Sequence, residues 1–194
     1  HYFTNEKLDS NIKRLSVRLL NNDFIFLSDN GVFSKDKLDF GTRLFLENIG
    51  VDKISGDVLD VGCGYGAIGI VVAKLSASNV TMCDVNKRAL HLCERNIKEN
   101  GLTNAVAVES DCYSAIDINK KYDYILTNPP IRAGKKVVYE IVMNARNYLK
   151  DTGKLFIVVR KDQGAKSMIS DLQKYYNVTI IEKDWSKSHG WDLP

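Results

Sequence analysis

Two short stretches carry the residues that could do chemistry. The first is Asp60-Val61-Gly62-Cys63-Gly64-Tyr65-Gly66, and from Gly64 to Gly69 it matches a G-x-G-x-x-G pattern. Glycines at such positions let the backbone turn tightly and approach a ligand closely. Asp84 follows about 20 residues on, where a carboxylate can accept hydrogen bonds from ribose hydroxyls. On those features a dinucleotide would fit. Asp60 argues against one. It precedes the loop, beside the place a pyrophosphate would lie, and its charge repels phosphate but suits a cationic ammonium or sulfonium.

The second stretch is Asn128-Pro129-Pro130-Ile131. Two prolines bar an immediate helix and bias Asn128 toward an extended backbone. A rigid turn explains the prolines but not the amide. An exocyclic amino group on a planar ring is a poor nucleophile, because its lone pair is delocalised. An Asn side-chain oxygen and a rigid backbone carbonyl can accept its two N–H bonds, orient the nitrogen and favour a pyramidal geometry. Positioning of this kind supplies up to roughly 7–11 kcal/mol in ideal cases. It needs no metal, covalent intermediate or strong base, which suits a chain with three histidines, none in a motif.

Positioning these groups requires a sheet. Val58–Val61, Val80–Asp84, Ala105–Val108, Tyr122–Leu126, Leu155–Val159 and Val178–Ile181 read as strands. Between them, Ala67–Leu75 reads as a helix, as do the faces of Ala89, Leu90, Cys93 and Ile97, of Val137 through Tyr148 and Leu149, and of Met168, Ile169, Leu172 and Tyr175. Alternation of apolar strands with helices predicts an α/β, doubly wound, mostly parallel Rossmann-like sheet with ligands at the carboxyl ends of its strands. Ahead of it, Leu15–Leu20 and Phe24–Leu27 flank Asn21-Asn22-Asp23 as a β-hairpin, and Thr42–Ile49 forms a short helix before Gly50. The chain is expected to be one domain over residues 1–194. It divides into an N-terminal extension with the hairpin (1–36), a catalytic core (37–183) and an atypical tail (184–194). Residues 1 to about 12 are expected to be loosely held.

Composition excludes more than it selects. Apolar content is 44%, enough for a core, and no apolar run approaches the ~18 residues of a membrane span. No secretion signal is apparent at the N-terminus, so a cytoplasmic protein is expected. Cys63, Cys83, Cys93 and Cys112 form no CxxC pair, so free thiols and no metal site are expected. The net charge of +3 is slight. Its distribution is more telling: Arg132, Lys135 and Lys136 follow the Asn-Pro-Pro turn, with Gly134 between them and no acid before Glu140. Beside a reactive site that cluster points to phosphate contact. A monomer is the default assembly.

Together the two motifs resemble class I methyltransferases that modify a planar nitrogen. The chain from His1-Tyr2-Phe3 through Gly31-Val32-Phe33-Ser34 and Leu38-Asp39-Phe40-Gly41-Thr42 to Asn128–Lys135 resembles the small-domain ribosomal RNA guanine-N2 methyltransferases, in their short single-domain bacterial form. The resemblance covers about residues 1–183. It implies S-adenosylmethionine as cofactor, S-adenosylhomocysteine as product, and ribosomal RNA or the ribosomal subunit as partner. It assigns Asp60, Gly62, Cys63, Gly64, Gly66, Asp84, Val85 and Asn128 to the cofactor site. Asp111 and Cys112 resemble an adenine-edge contact, although a turn-capping Asp explains Asp111 as well. The Val32-Phe33 and Asp39–Thr42 segments, with Phe33 and Thr42, would help close the pocket. Catalysis would fall to Asn128, Pro129, Pro130 and Ile131, and RNA contact to Arg132, Gly134, Lys135 and Lys136.

Two departures stand out. Ile131 replaces the usual aromatic residue and gives no π-stacking, although the Arg132 guanidinium could stack in its place. The last residues, Trp185–Pro194, lack the character of the family's seventh strand, so the C-terminal strand is expected to be incomplete. Four other readings stay open: protein glutamine methylation, adenine-N6 methylation, a nicotinamide dehydrogenase resting on the glycine pattern alone, and a non-catalytic RNA-binding relative.

Overall fold

The computed structural model describes residues 8–181. The expectations for residues 1–7 and for the tail 184–194 lie outside them. Strands β1 (Lys13–Leu19) and β2 (Asn22–Ser28) form the antiparallel hairpin, with Leu19 opposite Asn22. Its turn is Leu20-Asn21, both at positive φ (48° and 60°), as a tight two-residue turn demands. Asn22 and Asp23 therefore belong to the second strand, not to the turn. Helix α1 (Phe40–Asn48) starts at Asp39, whose Oδ2 accepts a hydrogen bond from Thr42 N at 2.9 Å.

The remaining strands build one parallel sheet. They are β3 (Ser55–Val61), β4 (Ala77–Asp84), β5 (Ala105–Glu109), β6 (Tyr122–Thr127) and β7 (Leu149–Ile157), in the order β5-β4-β3-β6-β7. The order reverses between β3 and β6, which makes their carboxyl ends the switch point where an open α/β sheet binds ligands. Helices α2 (Ala67–Leu75), α3 (Lys87–Glu99), α4 (Lys135–Asn144) and α5 (Ala165–Leu172) supply the crossovers and cover. Side chains alternate across β3. Val58 lies in the same core cluster as the hairpin residues Phe24 and Phe26, Leu46 of α1 and Ile70 of α2. Leu59 and Val61 face the opposite layer, with Tyr113, Ile125 and Ile141.

Four expectations about elements need correction. The helical face drawn through Tyr148 and Leu149 breaks at Asn144. Ala145–Tyr148 tightens into a 3₁₀ turn, Tyr148 stacks on Tyr113 at 4.5 Å, and Leu149 already pairs with Tyr122. The following strand runs Leu149–Ile157 rather than Leu155–Val159, with a register irregularity where Tyr122 faces Leu149 but Tyr124 faces Lys154. Gly153 permits it, since a Cβ there would sit 2.9 Å from both the Lys150 and Tyr122 carbonyls. Finally, Val178–Ile181 is not a strand. Val178 packs near Met168 and Leu172, but Ile180 and Ile181 are 43% and 53% exposed. β-branched composition makes a strand only when a neighbour takes its backbone hydrogen bonds, and no described residue does so here. Helix α5 likewise stops at Leu172. Tyr176, rather than the predicted Tyr175, packs back, its hydroxyl donating to Val142 O at 2.9 Å.

Candidate active site

At the carboxyl end of β3 the chain must leave the sheet without colliding with the next helix. Gly62 N and Cys63 N both donate to Cys83 O, at 2.9 and 3.0 Å, which straps the loop to β4. Gly62, Gly64 and Gly66 hold φ of 74°, 56° and 99°, in the region that favours glycine. Their reasons differ. A Cβ at Gly64 would meet nothing within 4 Å and would project into open space, whereas one at Gly66 would lie 2.8 Å from Cys93 Sγ. Gly66 thus serves core packing and does not line the cleft.

Asp84 closes β4. Its Oδ2 accepts from Gly64 N at 2.8 Å and its Oδ1 from Asn86 N at 2.9 Å. Burial raises its pKa despite those donors. Asp60 is 1% exposed, and its Oδ2 accepts from Gly69 N at 3.0 Å, near the start of α2. Burial pushes this carboxyl up to about 7; the Gly69 N–H opposes the shift and the neighbouring Asp84 reinforces it. A buried carboxylate without a counter-charge is a place where a cation is welcome.

Across the switch point, β6 ends at Thr127, whose Oγ1 donates to Val61 O at 2.8 Å. Asn128 follows directly. Its Nδ2 donates to Asp39 Oδ2 at 2.9 Å and to Thr42 Oγ1 at 3.1 Å. Pro130 O accepts from Ala133 N at 2.8 Å, where Ile131–Ala133 makes a single 3₁₀ turn. Asn128 Oδ1 and Pro129 O accept no hydrogen bond among the described residues.

These groups surround one cleft of about 350 Å³. Asp60, Gly62, Cys63, Gly64, Asp84 and Val85 line one part, with Asp111 and Cys112 beyond them. Asp111 also sits in a tight turn, its N–H donating to Ser114 Oγ at 3.1 Å. Asn128, Pro129, Pro130, Ile131 and Arg132 line the other part, and Phe33 and Thr42 border it. Gly134, Lys135 and Lys136 do not line it. Lys135 Nζ lies 5.1 Å from the centre of the Tyr139 ring. Ser34, Arg160 and Gln163 also line the cleft. Arg160 is legible in the sequence as a basic residue that, with Lys161, ends a strand. Ser34 and Gln163 were not singled out, although Gln163 follows β7 and the strand-end rule could have found it. Among the described residues no group of three or more His, Cys, Asp and Glu side chains could hold a metal ion. The donor set fits an adenosyl cofactor: an open glycine cradle, a carboxylate at a strand end for ribose, and a buried carboxylate for a cation.

The model of the methyltransferase small domain matches residues 23–186. The chain belongs to the methyltransferase small-domain family. It is 44% identical over 186 residues to the uncharacterized protein YbxB of Bacillus subtilis, covering 94% of this chain and 92% of that one. It is 40% identical over 141 residues to the ribosomal RNA small subunit methyltransferase C of Mannheimia succiniciproducens, covering 70% of this chain and 41% of that protein. The solved T. thermophilus 16S rRNA N2 G1207 methyltransferase (RsmC), in complex with AdoMet and guanosine, superposes with a TM-score of 0.76 and 28% identity. The match covers 84% of this chain and 46% of that structure, so the chain spans less than half of these two named methyltransferases. No helix of the described residues is long and apolar enough to cross a membrane.

Proposed function

We propose that this chain transfers a methyl group from S-adenosylmethionine to the exocyclic N2 amine of guanine in RNA, with small-subunit ribosomal RNA in the cytoplasm as substrate. The observation that carries the reading is that Asn128 and Pro129, whose Oδ1 and O accept no hydrogen bond among the described residues, line the same cleft as Gly64 and Asp84. Likeness to a guanosine-bound relative supports guanine as the acceptor.

Bound in the cradle, S-adenosylmethionine supplies a methyl on a positively charged sulfur, which needs no further activation. The chain's own residues have three tasks. Asp84 accepts the ribose hydroxyls, and Asp60 provides negative charge for the cationic end. Asn128 Oδ1 and Pro129 O take the two N–H groups of the amine and hold its nitrogen toward the cradle. Buried walls from Ile141 and Val61 help exclude water. Ile131 offers the base apolar contact, and Arg132 offers a planar cation above or beside it.

The test is label transfer. Tritium from methyl-labelled S-adenosylmethionine should enter in-vitro-transcribed small-subunit RNA, free or assembled into subunits, and mass spectrometry of the nucleosides should find N2-methylguanosine. Asn128→Ala should keep S-adenosylhomocysteine affinity within a few-fold yet lower turnover by at least about 100-fold. Label in a protein glutamine or in N6-methyladenosine, with none in guanosine, would replace the substrate reading.

A further inference from the structure

We propose that Asp39 is a positioning residue for this reaction: its carboxylate, with Thr42, fixes the Asn128 side chain so that Oδ1 and not Nδ2 faces the reacting amine. The inference rests on the role given to Asn128 above. A carboxamide carries an acceptor on one arm and two donors on the other, and its two flipped orientations have nearly the same shape. Only one of them can hold the N–H of an incoming amine. The other would aim an N–H at an N–H.

The surroundings of Asn128 decide between them. A carboxylate only accepts, so the arm next to Asp39 must be the donor arm. Asp39 Oδ2 lies 2.9 Å from Nδ2, and Thr42 Oγ1 lies 3.1 Å from the same atom. Oδ1 is thereby turned away from helix α1. The carboxylate is itself held, since Oδ2 also accepts Thr42 N at 2.9 Å as the cap of α1. The slot is tight. A Cβ on Gly41 would stand 3.0 Å from Asp39 Oδ2 and 3.7 Å from Asn128 Nδ2. A negative charge behind Nδ2 also polarises the amide and strengthens Oδ1 as an acceptor. The residues are 89 positions apart in the chain, so α1 supplies from a distance what the Asn-Pro-Pro turn lacks.

Two variants separate the cap from the clamp. Asn and Ser both cap helices well. Asp39→Asn keeps the size but can donate or accept, so both orientations of Asn128 become allowed. Asp39→Ser keeps a cap but withdraws the carboxylate. With ¹⁵N-labelled protein, the Asn128 side-chain amide is identified by its disappearance in Asn128→Ala. Its protons should exchange slowly in the wild type and at least roughly tenfold faster in Asp39→Ser. In the RNA assay kcat should fall roughly 10- to 100-fold in both variants. The Kd for S-adenosylhomocysteine and the KM for RNA should stay within about threefold. In the Asn128→Ala background Asp39→Asn should cause no further loss, because it acts through the missing side chain.

Unprotected Asn128 amide protons in the wild type, wild-type kcat in Asp39→Asn, or an equal further loss in the Asn128→Ala background would each overturn the inference. If the wild type methylates no RNA, the substrate reading and the catalytic half of the inference fall together. The amide exchange still decides the orientation on its own.

Discussion

Among individual residues Asp60 makes the sharpest demand, because it is buried, acidic and next to a ligand cleft. Its folded pKa of about 7 lies above the ordinary 3.8. The sign follows from linkage: a group with a raised folded pKa contributes stability that is present below about pH 4 and lost as pH rises through about 7. Asp60→Asn should therefore raise the melting temperature of the cofactor-free protein more at pH 8 than at pH 5. Binding runs the other way. The ammonium of S-adenosylhomocysteine favours the ionised carboxylate, so affinity should fall as pH drops below about 7, by at most about tenfold per pH unit, with proton release on binding. Calorimetry in two buffers of different ionisation enthalpy measures both effects, and Asp60→Asn should remove them. A flat pH profile would detach Asp60 from the cation. This carboxylate was legible in the sequence because it adjoins the glycine loop. The Asp39 contact with Asn128 was not, because local patterns carry no information about which distant side chain will face an amide.

Elements here are joined by side chains as much as by strands. Among the described residues the outer edge of β2 has no strand beside it, yet its backbone is paired. Asn96 on α3 accepts from Leu27 N at 2.6 Å and donates to Leu27 O at 3.0 Å, while Asn100 does the same for Ile25 at 3.2 and 2.8 Å. One helical turn separates the two asparagines, so they read two successive outward backbone pairs of the strand. Asn96 Nδ2 also reaches Tyr65 O at 2.8 Å, which ties the hairpin to the glycine loop. Asn96 is fully buried, so Asn96→Ala leaves Leu27 N, Leu27 O and Tyr65 O without partners and should cost roughly 2–4 kcal/mol. Asn100→Ala, nearer the surface, should cost about 1 kcal/mol. Urea denaturation measures both, and exchange of the Leu27 amide should accelerate only in the first. Equal costs would show that the buried network adds nothing. In the sequence Asn100, with Gly101, reads only as the end of the helix, which it is, and Asn96 carries no signal that it will face a strand edge. Strand β3 and the end of β6 were legible because burial on both faces leaves mostly apolar runs, and β5 was legible from its apolar composition although Val106 is 55% exposed. Val178–Ile181 misled for the same reason, since an apolar run records a preference for burial and not the presence of a hydrogen-bonding neighbour.

Taken whole, the molecule is nearly neutral, with a net charge of +3. On the proposed function, attraction to RNA must come from where charges stand, not from their sum. Many cations elsewhere are spent on carboxylates: Arg18 on Asp23, Lys150 on Asp123, and Arg160 on Asp162 beside the cleft. Arg132 and Lys136 have no ionic partner among the described residues, and both are exposed near the Asn-Pro-Pro turn. Lys135 is partly engaged by the Tyr139 ring. Each phosphate neutralised adds roughly 0.7–0.9 to the slope of log affinity against log salt. Lys136→Ala should therefore weaken binding of a small-subunit RNA fragment and flatten its slope by about that amount, as read by fluorescence anisotropy between about 50 and 200 mM KCl. Lys135→Ala should flatten it less, because its ammonium already has a partner. Arg132→Ala should flatten the slope and also lower turnover at saturating RNA, since it lines the cleft where the flipped-out base must be held. S-adenosylhomocysteine affinity should be unchanged in all three. If the salt slope survives the combined loss of Arg132 and Lys136, the basic cluster is a solvated loop and not an RNA contact.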